Sequence, residues 1–386
     1  MSSTTWIGKH WKTGAVVEIS VEGGLVTGMA PSSAVVDNWI APALIDVQVN
    51  GIAGHNFNGA PVSIESMRAA IDALHGSGVV RFCPTVVTAP AERMLTSIAA
   101  VASACESDPA VDYAVLGLHV EGPFISPEDG PRGAHNPAWV RNPDWREFER
   151  WQEAARGRIS KVTLAPELPG AIDFIERLTE AGIVASIGHS AASPTIITAA
   201  IDAGARMATH LGNGSHAMIK RHPNYIWAQL ADDRQWAGLI ADGFHLPPET
   251  LKVMTRAKGH KTIFTSDSSY LALMPAGRYE AHHGTTVVLQ ENGRLHLESN
   301  ADTLSGSAST LLDGLRNVIN SGILPLGEAI DCVTLHPAEL FGLDPSGIGQ
   351  LLAGGPADLI TFFRPEGAAE ITITNTVAAG QIVYSA

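Results

Sequence analysis

The chain has 386 residues, 45% of them hydrophobic, enough for one large domain with an accessory module or for two ordinary domains. Its 25 Lys and Arg against 39 Asp and Glu leave a formal charge of −14, which argues against nucleic acid or an anionic membrane as a partner, since both attract basic surface. A small anionic substrate stays open, because a few local cations decide its binding.

The first residues, MSSTTWIGKHWKTG, lack the apolar stretch of a secretory signal and no later run reaches transmembrane length, so a cytoplasmic location is expected. Cys83, Cys105 and Cys332 are too few, and odd in number, for a disulfide framework and are read as small buried residues. The amino-terminal flank then carries strand-like VVEISVEGGLVTGM.

From Leu44 onward an apolar run ends at a polar residue or glycine and an amphipathic stretch comes after it. The runs are Leu44–Val49, Val79–Val86, Ala114–Val120, Lys161–Ala165, Val184–Ile187, Met207–Thr209, Ala237–Ala241 and Thr262–Thr265. Runs of this length suit strands buried on both faces of a parallel sheet. Helices are expected over Ser63–His75, Ala171–Ala181, Pro194–Ala203 and Pro248–Ala257, several closing at a glycine such as Gly78, Gly182, Gly204 or Gly259. On the second of these, Ile172, Ile175 and Leu178 share a stripe.

Eight strand-then-helix units within about 300 residues fit a closed (β/α)8 TIM barrel, an α/β fold, better than an open doubly wound sheet. The carboxyl-terminal flank returns to short strands in ADLITFF, EITITNTVAAG and QIVYSA. The expected organisation is a small β-sandwich module built from residues 1–42 plus 346–386 around a catalytic barrel at 43–345.

The chemistry of such a barrel sits at the carboxyl ends of its strands. Strand one ends at Gln48 and Asn50, strand three at His119 and Glu121, strand five at His189 and strand six at His210. Strand seven ends at Asp242 with His245 beyond, and strand eight at Asp267. A lone histidine there is more often a hydrogen-bonded structural residue, and a lone aspartate is often a helix cap. A glutamate, two histidines and an aspartate on four strands facing one mouth point instead to a metal site.

Glu121, His189 and His210 make the two-nitrogen, one-oxygen set of catalytic zinc sites, which keep one position open for water. Asp267 is then placed to take a proton from that water and pass it to a leaving amine. Gly188-His189-Ser190 lacks the G-x-S-x-G elbow of serine hydrolases, and no cysteine shares a strand end with a histidine.

At these residues the sequence resembles the N-acetylglucosamine-6-phosphate deacetylases of the amidohydrolase superfamily. The resemblance runs from APALIDVQVNG at 41–51 to GGPADLITFF at 354–363, through LHVEGPF, GAHNP, GHS, ATHL, IADGFHL, TSD and LSGSASTLLDGLRN in the same order. It implies Glu121, His189 and His210 as ligands of one divalent metal ion and Asp267 as acid/base. It further implies His135 at the acetyl carbonyl, Asn213 and His245 at the sugar, and backbone near Leu304 and Ser305 along the pocket. Arg221 would contact phosphate across a homodimer interface. The implied products are glucosamine 6-phosphate and acetate.

Many relatives carry His-x-His after strand one and hold two metals; Gln48-Val49-Asn50 here predicts one. Zinc suits the donor set best, while iron, cobalt or manganese also fit. The stretch THLGNGSHAM at 209–218 departs from the deacetylase pattern Thr-His-Leu-x-Asn-Ala-Met. Gly212, Gly214 and His216 therefore make either a loop variant with unchanged substrate or a change of sugar or acyl specificity. Lys220, Arg221, His222 and His245 form either an anion cluster or, in part, a solvated basic run, and His282 and His283 are expected to face solvent.

Three rival readings stand beside this one. The first is a deacylase for N-acetylgalactosamine 6-phosphate or another, unphosphorylated, N-acyl amine. A second is a cyclic-amide hydrolase, disfavoured by the missing His-x-His. The third is a non-catalytic assembly protein, disfavoured because all three ligands and Asp267 are retained.

Overall fold

A computed structural model describes residues 3–281, 284–365 and 370–386; His282 and His283 lie outside the described residues. All eight apolar runs contribute strands to one parallel sheet: Leu44–Val49, Val79–Val87, Leu118–Glu121, Ile159–Leu164, Val184–Ile187, Met207–Ala208, Trp236–Ile240 and Thr262–Thr265. Each strand pairs with the next in sequence, and a parallel bridge between Val49 and Ser268 joins the first strand to the chain leaving the eighth. That contact closes the barrel.

The third run needs correction. Residues Pro109–Ala114 form a short helix capped by Asp108, and the strand begins only at Leu118. Proline at the first helical position and an aspartate cap outweigh the apolar character of the residues behind them.

Side chains alternate across each strand, so residues two apart share the barrel interior. The interior pairs include Asp46 with Gln48, His119 with Glu121, and Lys161 with Thr163. They make the layer beneath the rim polar, where most such barrels stack aliphatic residues. His119 joins Thr85 at 3.1 Å and Thr163 at 2.7 Å, and Lys161 Nζ donates to the Val47 carbonyl at 2.8 Å.

The helices lie outside the strands and bury one stripe each. Ile64–Gly76 starts at Ser63, whose hydroxyl accepts from Ser66 N–H, and buries Met67, Ala70, Ile71 and Leu74. On Ala171–Glu180 the buried stripe is Ala171, Phe174, Ile175 and Leu178, so Phe174 fills the place expected of Ile172, which is half-buried. Cys83, Cys105 and Cys332 are buried free thiols, as expected.

Both chain ends build the expected β module. Its seven strands run in the order Gln381–Ser385, Thr372–Ala378, Leu359–Phe363, Trp39–Pro42, Ser3–His10, Val16–Glu22 and Leu25–Pro31. Antiparallel pairing of Leu359–Phe362 with Pro42–Trp39 fastens the two termini together. A further four-stranded sheet, Gly277–Glu280, Thr286–Leu289, Leu295–Leu297 and Asn300–Leu304, rises between barrel strand eight and the helix Leu311–Asn320.

Candidate active site

At the carboxyl end of the barrel, Glu121, His189 and His210 converge. Glu121 Oε1 lies 3.0 Å from His189 Nε2 and 2.9 Å from His210 Nε2, and the two imidazole nitrogens are 3.0 Å apart. All three residues are buried. Burial opposes ionisation of Glu121, but the His189 and His210 imidazoles beside it outweigh that and hold the carboxyl well below the usual range.

His189 Nδ1 lies 2.8 Å from the Pro131 carbonyl. A carbonyl only accepts, so Nδ1 carries the hydrogen and a neutral His189 turns the lone pair of Nε2 toward Glu121 and His210. A lone pair and a carboxylate that close together repel unless a proton or a cation lies between them. The donor set and its shared focus therefore fit a divalent cation, with room for a water or substrate oxygen in the cavity.

The backbone is strained where this chemistry sits. His189, His210 and Asp267 are three of the seven described non-glycine residues with positive φ, at 51°, 29° and 49°. Side-chain-bearing residues avoid that region at a cost of about 1–3 kcal/mol each. Turning the chain sharply at the strand end keeps each side chain over the barrel mouth.

Asp267 is buried beside the cluster, and Gln48 Nε2 bridges it to Glu121, donating to Asp267 Oδ1 at 2.9 Å and to Glu121 Oε2 at 2.8 Å. Asn50 Nδ2 adds a second bond to Asp267 Oδ1 at 2.8 Å. The amides that replace His-x-His thus hold carboxylates and present N–H groups to them. Burial, and next the charge of Glu121, push the Asp267 carboxyl up to about 6.

The other expected residues divide. His135 Nε2 is 3.3 Å from His189 Nε2, and Asn213, His245, Leu304 and Ser305 line a cavity of about 800 Å³ that also takes in the cluster. His245 Nδ1 meets Asp242 Oδ2 at 2.7 Å, and Ser307 Oγ donates to that same oxygen at 3.1 Å. Asp242 thereby fixes which imidazole nitrogen faces the cavity.

Lys220, Arg221 and His222 are exposed and lie off this wall, so the four-residue anion cluster does not form within one chain. The basic run comes after Gly214-Ser215-His216 in the same loop. His216 is tied to Glu128 at 3.0 Å and to the Tyr225 hydroxyl at 3.1 Å, while the basic run passes on to the surface.

Sequence reasoning missed Arg294, Asn300, Asp302 and Thr303, which line the cavity from the four-stranded sheet. A signal was present: Asn292-Gly293 between TTVVLQ and RLHLES is a hairpin turn flanked by strand-forming residues.

A model of the amidohydrolase family matches residues 39–383. The chain belongs to the amidohydrolase family. Within it the N-acetylgalactosamine-6-phosphate deacetylase of Escherichia coli O157:H7 is 29% identical, over 92% of this chain and 91% of that protein. The N-acetylglucosamine-6-phosphate deacetylase of Haemophilus influenzae is 30% identical over 84% and 82%. A solved amidohydrolase, a variant N-acetyl-D-glucosamine-6-phosphate deacetylase from Mycobacterium smegmatis in complex with N-acetyl-D-glucosamine-6-phosphate, superposes with a TM-score of 0.88 over the full length of both chains at 26% identity. The protein is thus a hydrolase of the deacetylase branch of the amidohydrolases, and both the barrel fold and the resemblance read from the sequence hold.

Proposed function

We propose that this hydrolase cleaves the acetamide of N-acetylglucosamine 6-phosphate, releasing glucosamine 6-phosphate and acetate. The observation that carries the reading is the convergence of Glu121, His189 and His210 beside Asp267 in one cavity. Glu121, His189 and His210 would hold a single divalent cation, zinc by donor set, which supplies Lewis acidity and lowers the pKa of water toward about 7.

The remaining work falls to the chain's own groups. Asp267, pinned through Oδ1 by Gln48 and Asn50, takes the proton from the attacking water and delivers it to the leaving nitrogen. His135, beside His189, donates to the acetyl oxygen as charge develops there. His245, oriented by Asp242, and Asn213 hold the sugar hydroxyls, with the backbone at Leu304 and Ser305 closing the pocket.

The catalytic unit spans residues 43–345, with 1–42 and 346–386 as the β module. In a homodimer Arg221 reaches the phosphate of the neighbouring subunit's substrate. That assembly is supported by the exposure of Met218 (91%), Ile219 (40%) and Trp227 (50%) around it. Buried free thiols agree with a cytoplasmic setting.

Acetate release from N-acetylglucosamine and N-acetylgalactosamine, each with and without 6-phosphate, tests the substrate. Fastest turnover, by kcat/KM, of the 6-phosphorylated gluco epimer is expected. The galacto epimer turning over fastest would move the chain to the other named activity, and no acetate from any of the four would end the reading.

A further inference from the structure

Arg294 is the only lysine or arginine among the described residues lining the cavity that holds Glu121, His189 and His210. The histidines there are committed to the cluster, to Asp242 or to Glu128. A guanidinium is charged at any working pH and offers five N–H donors in a planar fork. Among the described residues this side chain makes one bond, from Nη2 to the Ala301 carbonyl at 2.8 Å. No carboxylate among the described residues lies within ion-pair distance of it, although Asp302 stands on the same wall.

The surrounding hairpin holds Arg294 in place. Leu271, Val287, Leu289 and Leu295 form a buried apolar cluster beneath it. Asn292 caps the turn by accepting from Arg294 N–H at 3.1 Å, and Gln290 N–H donates to the Arg294 carbonyl at 2.9 Å. Gly293, at φ 89°, lets the turn pass close to the Phe244 ring, itself part of the cavity wall. The Arg294 fork is half-buried on a braced turn and has no carboxylate partner among the described residues, so it can take an anion from the cavity.

We propose that Arg294 binds the phosphate dianion of the substrate from within the same chain and sets the preference for a 6-phosphorylated amino sugar. This inference rests on the deacetylase reading above and adds a specificity residue to it. Two N–H groups of the fork face two phosphate oxygens, and Thr303 and Asn300 offer further polar contacts along the same wall. The trans contact by Arg221 and the cis contact by Arg294 are separable, because only the second survives in a monomer.

Steady-state kinetics of R294Q and R294K on N-acetylglucosamine with and without 6-phosphate test it. In R294Q the KM for the phosphorylated substrate should rise roughly 10- to 100-fold, as for loss of a charge-assisted bond. The kcat should change far less, the unphosphorylated sugar should be unaffected, and R294K should fall between. An unchanged KM, or an equal loss on both sugars, overturns the proposal. If wild-type protein deacetylates neither sugar, the parent reading fails alone, and calorimetry with glucosamine 6-phosphate still decides Arg294. Weaker binding in R294Q than in wild type upholds its role, whereas equal binding, or none to wild type, removes it.

Discussion

Gln48 Nε2 donates to Asp267 Oδ1 at 2.9 Å, joining the end of the first barrel strand to the end of the eighth. The same nitrogen serves Glu121, so one amide spaces two buried carboxylates that would otherwise repel. Gln48→Leu keeps the volume and removes both bonds. We expect kcat to fall about 10- to 100-fold, as when a group that orients a metal ligand is lost. KM and stoichiometric metal should change little. Wild-type kcat would show that Asn50 alone positions Asp267.

Asp267→Asn should retain metal and lose turnover by a factor on the order of 10²–10⁴, because an amide cannot relay the proton. In the metal-free protein burial and Glu121 push this carboxyl up to about 6, and a bound cation opposes the rise. A base must be ionised to work. Activity should therefore fall on acidification, with kcat/KM reaching its midpoint at or below about 6. A midpoint well above neutrality would place the base elsewhere.

Gly214 carries φ 55°, and a Cβ built there meets His189 Nδ1 at 2.7 Å. Gly214→Ala both strains the backbone and presses on the imidazole that Pro131 holds in register. Metal affinity should drop about 10-fold or more, read by competition with a chelator. Unaltered affinity would mean that the loop yields and the imidazole stays.

Lys161, fully buried, has its ammonium pushed down to about 8, chiefly by desolvation. Between that value and the ordinary lysine range, the unfolded chain holds the proton more tightly than the folded one. Stability contributed by this residue therefore rises with pH across that window, by about 3 kcal/mol in all. Denaturant titrations of wild type and Lys161→Met at several pH values should show the wild type gaining on the variant from about pH 8 upward. Parallel curves would mean that Lys161 does not titrate there.

The residues that act on the amide were legible because they lie at the ends of apolar runs that fold locally. Period-two alternation sends Glu121 inward with His119 whatever the rest of the chain does, and sharp turns after strands five, six and eight lift His189, His210 and Asp267 to the same rim. Removal of both strand faces from water selects these runs, so composition alone marks them. Arg294, Thr303 and the Glu128–His216 pair were not legible in this way. Their partners lie on other loops, and packing of the inserted hairpin against the barrel brings them to the cavity. Contacts between segments distant in sequence carry no period, so only the closed barrel could decide them.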